Sequence, residues 1–327
     1  MPATRDATSS SGSRPRISVV VPAFGCESCL EPLYEKLKLV LEPISPSFEI
    51  VLVDDHSPQQ DWSVIKALAA RDPRVRGVKL TRNFGQHNAI AAGLAEANGD
   101  WIVVMDCDLQ DRPEEITRLY EKALEGFDCV FAKRADRVDS RGKIATSRLF
   151  NFIHGRFAGF KDDASIGNFS IISRRVVREL RKFREGRRNY GIQVHWLGFP
   201  TSYIAVTHAA RHSGKSSYSV TKQLRHAVAT VLSQSTRPLY ASALLGLLMA
   251  LGAAITAVYL IMRKLTVGYT VQGWTSVIVS LFFLFGVLFL NMGVLGLYLG
   301  SVFNEVKGRP PFVIERTTYE DNEPRND

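Results

Sequence analysis

From Leu239 to Met262 the chain runs 24 residues without a charged side chain, and after Arg263 and Lys264 no charge appears from Leu265 to Asn304. An α-helix rises about 1.5 Å per residue, so the first run makes a helix of about 36 Å, enough to cross a hydrocarbon core of roughly 30 Å with some tilt. The second run divides into a short loop, Thr266 to Gly273, and a helix from about Trp274 to Phe303. Helices apolar on every face belong in a bilayer rather than on the surface of a soluble domain. The expected organisation is a disordered tail over residues 1–16, a folded domain over 17–216, a juxtamembrane amphipathic helix over 217–237, a two-helix transmembrane hairpin within 238–303 and a cytoplasmic tail over 304–327.

Basic residues flank the spans unequally. Lys215, Lys222, Arg225 and Arg237 precede the first, Lys307, Arg309 and Arg316 follow the second, and the connection carries Arg263 and Lys264 alone. Positive charge stays on the cytoplasmic side, which predicts a multi-pass protein of an inner or plasma membrane with its folded domain and both termini in the cytoplasm. The net charge of +9, from 41 basic and 32 acidic residues, suits contact with an anionic leaflet of the lipid bilayer. No nucleic-acid recognition module is present. Between Val220 and Ser235, apolar Leu224, Ala227, Val228 and Val231 share the segment with Lys222, Arg225 and His226, the pattern of an interfacial helix. Glycines 293, 296 and 300 permit close helix packing, within the hairpin or between subunits of a homo-oligomer.

Residues 1–16 are Ser-, Thr- and Arg-rich without an apolar core, which reads as disorder and not as a signal peptide. Cys26-x-x-Cys29 lacks a second Cys or His pair to complete a zinc site, so Cys26, Cys29, Cys107 and Cys129 are expected as reduced thiols.

From residue 17 onward, strand-like runs (Ile17–Pro22, Ile50–Val53, Val75–Leu80, Ile102–Met105, Val130–Ala132) alternate with helical spacing (Cys29–Leu41, Trp62–Ala70, His87–Ala97, Pro113–Leu124). Such alternation predicts an α/β domain with a mainly parallel, Rossmann-like sheet. Ligands in these sheets gather outside the carboxyl ends of the strands. One rim would therefore collect Pro22-Ala23-Phe24, Asp54-Asp55-His56-Ser57, Arg82-Asn83-Phe84-Gly85 and Met105-Asp106-Cys107-Asp108-Leu109-Gln110-Asp111.

The last of these is the most informative. In extended backbone, positions i and i+2 face one side, so Asp106 and Asp108 would aim two charges at one spot. At roughly 4 Å and an effective dielectric near 20, such a pair repels by about 4 kcal/mol. A divalent cation carrying a diphosphate relieves that repulsion. Asp54 and Asp55 either accept hydrogen bonds from a base or ribose or simply form a strand-to-turn exit. Arg82 either holds a phosphate oxygen or pairs with a surface acid. Arg211-His212-Ser213-Gly214-Lys215-Ser216 is an anion clamp or a solvated basic loop. No G-x-G-x-x-G or P-loop is present, which argues against nicotinamide cofactors and Walker-type ATP binding.

Taken in order, Val20-Val21-Pro22-Ala23-Phe24, Val53-Asp54-Asp55-His56-Ser57, Arg82-Asn83-Phe84-Gly85, Asp106 to Pro113, Arg211-x-x-Gly214-Lys215-Ser216 and the C-terminal Tyr298 to Pro310 resemble the polyprenyl-phosphate branch of the family 2 glycosyltransferases, over about residues 17–316. The resemblance implies a GT-A fold and transfer of a sugar, with inversion, from a nucleotide-sugar donor to a polyprenyl-phosphate acceptor. It implies that Asp106, Asp108 and Gln110 hold Mg²⁺ or Mn²⁺, and that Asp55, with Pro22, Ala23 and Phe24, forms the nucleoside pocket. By the same resemblance Arg211, with Lys215 beside it, serves the donor phosphates, and Arg134 and Arg148 the acceptor phosphate. Asp106, Asp108 and Arg211 are then the catalytic set.

Three departures qualify what the resemblance implies. The family's Pro-x-Tyr-Asn-Glu opening is here Pro22-Ala23-Phe24-Gly25-Cys26. Several bacterial relatives carry Gly-Asp-Phe where this chain has Gly167-Asn168-Phe169, and an amide cannot act as a general base, though it can position a substrate. The processive Q-x-x-R-W signature is replaced by Gln193-Val194-His195-Trp196, against polymer synthesis. Other readings are a transferase acting on a different lipid or lipid-linked saccharide, and a catalytically silent membrane scaffold.

Overall fold

The structure is a computed structural model that describes residues 16–134, 166–183, 185, 188–206, 237–267 and 273–319. The described residues fall into two compact units, one within 1–138, 163–215 and 309–327, the other within 139–162 and 216–308.

In the first unit, β1 (Ile17–Ala23), α1 (Glu27–Ile44), β2 (Phe48–Asp54), α2 (Asp61–Arg71), β3 (Val75–Leu80), α3 (Gln86–Glu96), β4 (Trp101–Val104), α4 (Glu115–Leu124) and β5 (Cys129–Arg134) alternate along the chain. They are followed by β6 (Ile166–Ser173), α5 (Arg174–Leu180), α6 (Tyr190–Trp196), β7 (Thr201–Val206) and, far along the chain, β8 (Ile314–Thr317). Every strand and helix expected up to Ala132 is present. The α/β class is therefore as expected, while β6, α5, α6, β7 and β8 have no counterpart in the sequence reading. Arg174-Arg175-Val176-Val177-Arg178-Glu179-Leu180 is one reason: three basic residues interrupt a helix too short to establish a period.

The eight strands form one sheet in the order β7-β5-β6-β4-β1-β2-β3-β8. Pairings β1–β2, β1–β4, β2–β3 and β5–β7 are parallel, whereas β4–β6, β5–β6 and β3–β8 are antiparallel, so the sheet is mixed and mostly parallel. β1 is buried along its whole length, as a central strand covered on both faces must be. Val19 and Val21 pack with α1 residues such as Leu33 and Leu37, and Val20 packs on the other face with Ala89 and Ile90 of α3. That second packing is close: a Cβ on Gly93 would lie 2.4 Å from Val20 Cγ1, so glycine lets α3 settle onto the sheet.

The order β4-β1-β2-β3 makes the chain reverse direction across the sheet between β3 and β4. The switch point falls between β1 and β4, the crevice where open α/β sheets place ligands. β8 adds to the opposite flank through Val78–Thr317, Lys79–Arg316 and Leu80–Ile314. Residues 314–317 are thus part of the sheet and not of a free tail, with Gly77 N donating to Thr318 Oγ1 at 2.9 Å and Lys79 paired to Glu315 at 3.2 Å.

The second unit contains α7 (Arg237–Val267) and α8 (Trp274–Val306), which contact each other. Both are long and apolar enough to cross a membrane, and α8 runs one turn past the expected end at Phe303. Leu248, Ile255, Phe282, Phe289 and Leu299 are all exposed on them. Apolar surface of that extent requires covering.

Candidate active site

The rim is assembled by backbone pairing. Met105 N donates to Val20 O at 3.2 Å and Asp55 N to Ala23 O at 3.0 Å, which brings the segments after β1, β2 and β4 to one rim. Side chains then join these segments. Gly25 N donates to Ser57 Oγ at 3.0 Å, and Cys26 N to Asp61 Oδ2 at 3.0 Å. Cys26 and Cys107 form a disulfide, with Cα atoms 6.2 Å apart, within normal reach. The expectation of four reduced thiols is corrected at these two positions. β1 and β4 are neighbours in space although the cysteines lie 81 positions apart, which spacing within the sequence cannot reveal. Cys29 and Cys129 are free and buried.

Asp54 and Asp55 are both buried. Asp54 Oδ1 accepts from Ser57 N at 2.8 Å, an Asx-type turn. Asp55 accepts from Phe84 N at 2.7 Å and Gly85 N at 2.9 Å. Burial pushes both carboxyls up, opposed at Asp54 by the Ser57 N–H and at Asp55 by the Phe84 and Gly85 N–H groups. Both residues therefore fasten loops here, and Asp55 in particular holds the Arg82–Gly85 segment against the end of β2. Pro22 and Ala23 lie at the buried end of β1, whereas Phe24 is half exposed on the rim. Arg82 is exposed, its guanidinium 4.2 Å from the centre of the Phe84 ring.

The Asp106–Asp111 loop holds the acids. Asp106 N donates to Asp111 Oδ2 at 3.1 Å, and Gln110 N reaches back to Asp108 Oδ1 at 3.1 Å. That reversal needs Leu109 in the left-handed region, φ +62°, a conformation that costs a non-glycine residue about 1–2 kcal/mol. The Leu109 side chain is buried in the core, which offsets the cost. Gln86 Nε2 donates to Asp106 Oδ1 at 2.6 Å, and Asn168, from β6, also hydrogen-bonds Asp106. Burial, then the charges of Asp111 and Asp108, push the Asp106 carboxyl up to about 7, while the Gln86 and Asn168 amides oppose the rise. Among the described residues, no three His, Cys, Asp or Glu side chains converge into a ready-made cage. The donor set is nevertheless that of a hard divalent ion held by one or two carboxylates, with the remaining positions left for ligand phosphates.

The structure places Pro22, Ala23 and Phe24 at the end of β1, Asp54 and Asp55 at the end of β2, Arg82 after β3, and Asp106, Asp108 and Gln110 after β4, with Asn168 of β6 hydrogen-bonded to Asp106. Arg134 is the last residue of β5, opposite Val206 of β7. Arg148, Arg211 and Lys215 lie outside the described residues. Sequence reasoning missed two residues. Asp111 stood within the motif, and its role as acceptor for the Asp106 N–H depends on the loop reversal. Gln86 is the first residue of α3, and its signal was its place: a polar side chain opening a helix on the ligand rim.

The family model described as "Glycosyl transferase family 2" matches residues 18–181. A bactoprenol glucosyl transferase derived from prophage SfII, of Shigella flexneri, is 36% identical over 305 residues, covering 92% of this chain and 98% of the relative. The chain belongs to glycosyl transferase family 2. An undecaprenyl-phosphate 4-deoxy-4-formamido-L-arabinose transferase of Pseudomonas aeruginosa (strain LESB58) is also 36% identical to this family 2 glycosyltransferase, over 92% of this chain and 89% of its own. Among solved structures, glucosyl-3-phosphoglycerate synthase from Mycobacterium tuberculosis matches over 68% of this chain and 78% of its own, with 20% identity and a TM-score of 0.47.

Proposed function

We propose that this chain transfers a sugar from a nucleotide-sugar to a polyprenyl phosphate, yielding a polyprenyl-phosphate sugar. The observation that carries the reading is the placement of Asp106 and Asp108 on one loop after β4, beside the β1–β4 switch point, with Asp111 accepting from the Asp106 N–H, in a chain that matches bactoprenol and undecaprenyl-phosphate transferases almost end to end. Those relatives carry different sugars at the same identity, so overall identity does not select the sugar.

Asp55, with Pro22, Ala23 and Phe24, receives the nucleoside, and Asp54 shapes the turn beneath it. Asp106, Asp108 and Gln110 hold Mg²⁺ or Mn²⁺, which when bound supplies Lewis-acid stabilisation to the departing diphosphate. Arg82, Arg211 and Lys215 add charge-assisted hydrogen bonds to the same phosphates. Arg134 and Arg148 receive the acceptor phosphate. An acceptor phosphate oxygen forms the new bond to the anomeric carbon as the bond to the nucleoside diphosphate breaks, with inversion. The acceptor is already anionic, so no general base is required, consistent with an amide at Asn168. The membrane hairpin tethers the chain to an inner or plasma membrane, the compartment of a lipid acceptor, with the domain and both termini on its cytoplasmic side.

The test incubates the full chain with undecaprenyl phosphate, Mg²⁺ or Mn²⁺ and a panel of labelled nucleotide-sugars. An acid-labile lipid monophosphosugar from one donor is expected. Transfer only to another lipid or to a lipid-linked saccharide would replace the acceptor assignment.

A further inference from the structure

We infer that Gln86 is a positioning residue for the cation site, fixing the Asp106 carboxylate from α3 through a neutral donor. The inference rests on the proposed role of Asp106 as a cation ligand. Geometry carries it. Gln86 Nε2 lies 2.6 Å from Asp106 Oδ1, so the contact is a direct hydrogen bond between two different elements. Gln86 is itself exposed, so burial does not hold it in place.

Its backbone seat does. Gly85, with φ +90° and ψ 153°, turns the chain into α3, and its N–H and that of Phe84 are held by Asp55. Asn88 N and Ala89 N donate to Gly85 O at 3.0 and 3.1 Å, and Asn88 Nδ2 donates to Phe84 O at 2.9 Å. The first turn of α3 is therefore fastened on both sides of Gln86, and the side chain reaches the β4 rim from a fixed origin.

The chemistry of the residue type matters. A Lys or Arg at this position would neutralise Asp106 and compete with a cation, and a Glu would repel it. A glutamine amide orients the carboxylate and leaves its charge in place. Asn168 contributes a second amide of the same kind from β6. Outer groups that hydrogen-bond a metal-ligating carboxylate typically alter metal affinity 10–100-fold when removed.

This connection also joins the proposed nucleoside acid to the proposed cation acid through three consecutive residues. Asp55 binds Phe84 and Gly85, and Gln86 binds Asp106. The two donor subsites thus share one short length of backbone.

The experiment is a Mn²⁺ titration of the purified full chain by electron paramagnetic resonance, without donor or acceptor, on wild type, Gln86→Ala and Asp106→Asn. Thermal unfolding of each variant accompanies it. Gln86→Ala is expected to weaken Mn²⁺ binding about 10-fold at unchanged unfolding temperature, and Asp106→Asn to weaken it more. Wild-type Mn²⁺ affinity in Gln86→Ala alongside a clear loss in Asp106→Asn overturns the role of Gln86 and leaves the cation site standing. Wild-type affinity in both variants removes the cation site itself, and the inference with it.

Discussion

The Asp55 carboxylate and the Gly85 N–H lie 2.9 Å apart, fastening the end of β2 to the start of α3. Asp55 also accepts from Phe84 N, so removing its carboxylate strands two backbone donors. Leaving a buried donor unmade costs about 1–3 kcal/mol. Asp55→Ala should therefore lower the unfolding temperature by several degrees and raise KM for the nucleotide-sugar more than it lowers kcat. Equal KM values for variant and wild type would separate Asp55 from donor binding.

Gly85→Ala tests the turn itself. At φ +90° and ψ 153° the backbone occupies a region accessible in practice to glycine alone, while a Cβ there would meet open space. The penalty is conformational and not steric crowding, about 1–3 kcal/mol. Thermal unfolding should fall accordingly, and an unchanged midpoint would show that the turn relaxes.

Asp108→Asn should reduce turnover at least about 100-fold, the scale of losing one preorganised electrostatic group. Membrane insertion and the unfolding temperature should stay near wild type. Labelled-lipid formation at the wild-type rate would remove the paired acids from the mechanism.

Stability should fall at acid pH through Asp72. Hydrogen bonds from Arg74, foremost its guanidinium, and from Tyr34 hold the Asp72 carboxyl down at about 2, from 3.8. The folded form therefore binds this proton less readily than the unfolded chain. The stabilisation is complete above about pH 5 and is lost as pH falls through 4 toward 2, a span worth about 2 kcal/mol at this largely buried site. Unfolding midpoints at pH 3 and pH 6 should converge in Asp72→Asn relative to wild type.

Thr318→Val keeps shape and removes the acceptor for Gly77 N. A loss of about 1 kcal/mol is expected. Thermal unfolding of the full chain would register it as a shift of about 2–4 °C for a domain of this size.

The nine elements from β1 to β5 could be read directly, because each carries its own period: continuous apolar runs such as Ile17–Pro22, and amphipathic spacing such as Pro113–Leu124. β8 was illegible for the opposite reason. Ile314-Glu315-Arg316-Thr317 is four residues with two charges, and it becomes a strand because β3 offers it an open edge. Strands β6 and β7 likewise depend on partners: β6 lies between β4 and β5, and β7 pairs with β5.

The site divides in the same way. Local chemistry, which depends on residue type and short spacing, was sufficient to place Asp106 and Asp108 at a strand end, to mark the Asp54-Asp55 pair, and to pick out two apolar helices. Which groups those acids touch depends on strand order, a long-range property. Packing β4 beside β1 brought Cys26 to Cys107, and folding α3 back over the sheet carried Gln86 to Asp106. Such contacts arise where chain segments far apart in sequence share one buried surface, and no local pattern of residues encodes that meeting.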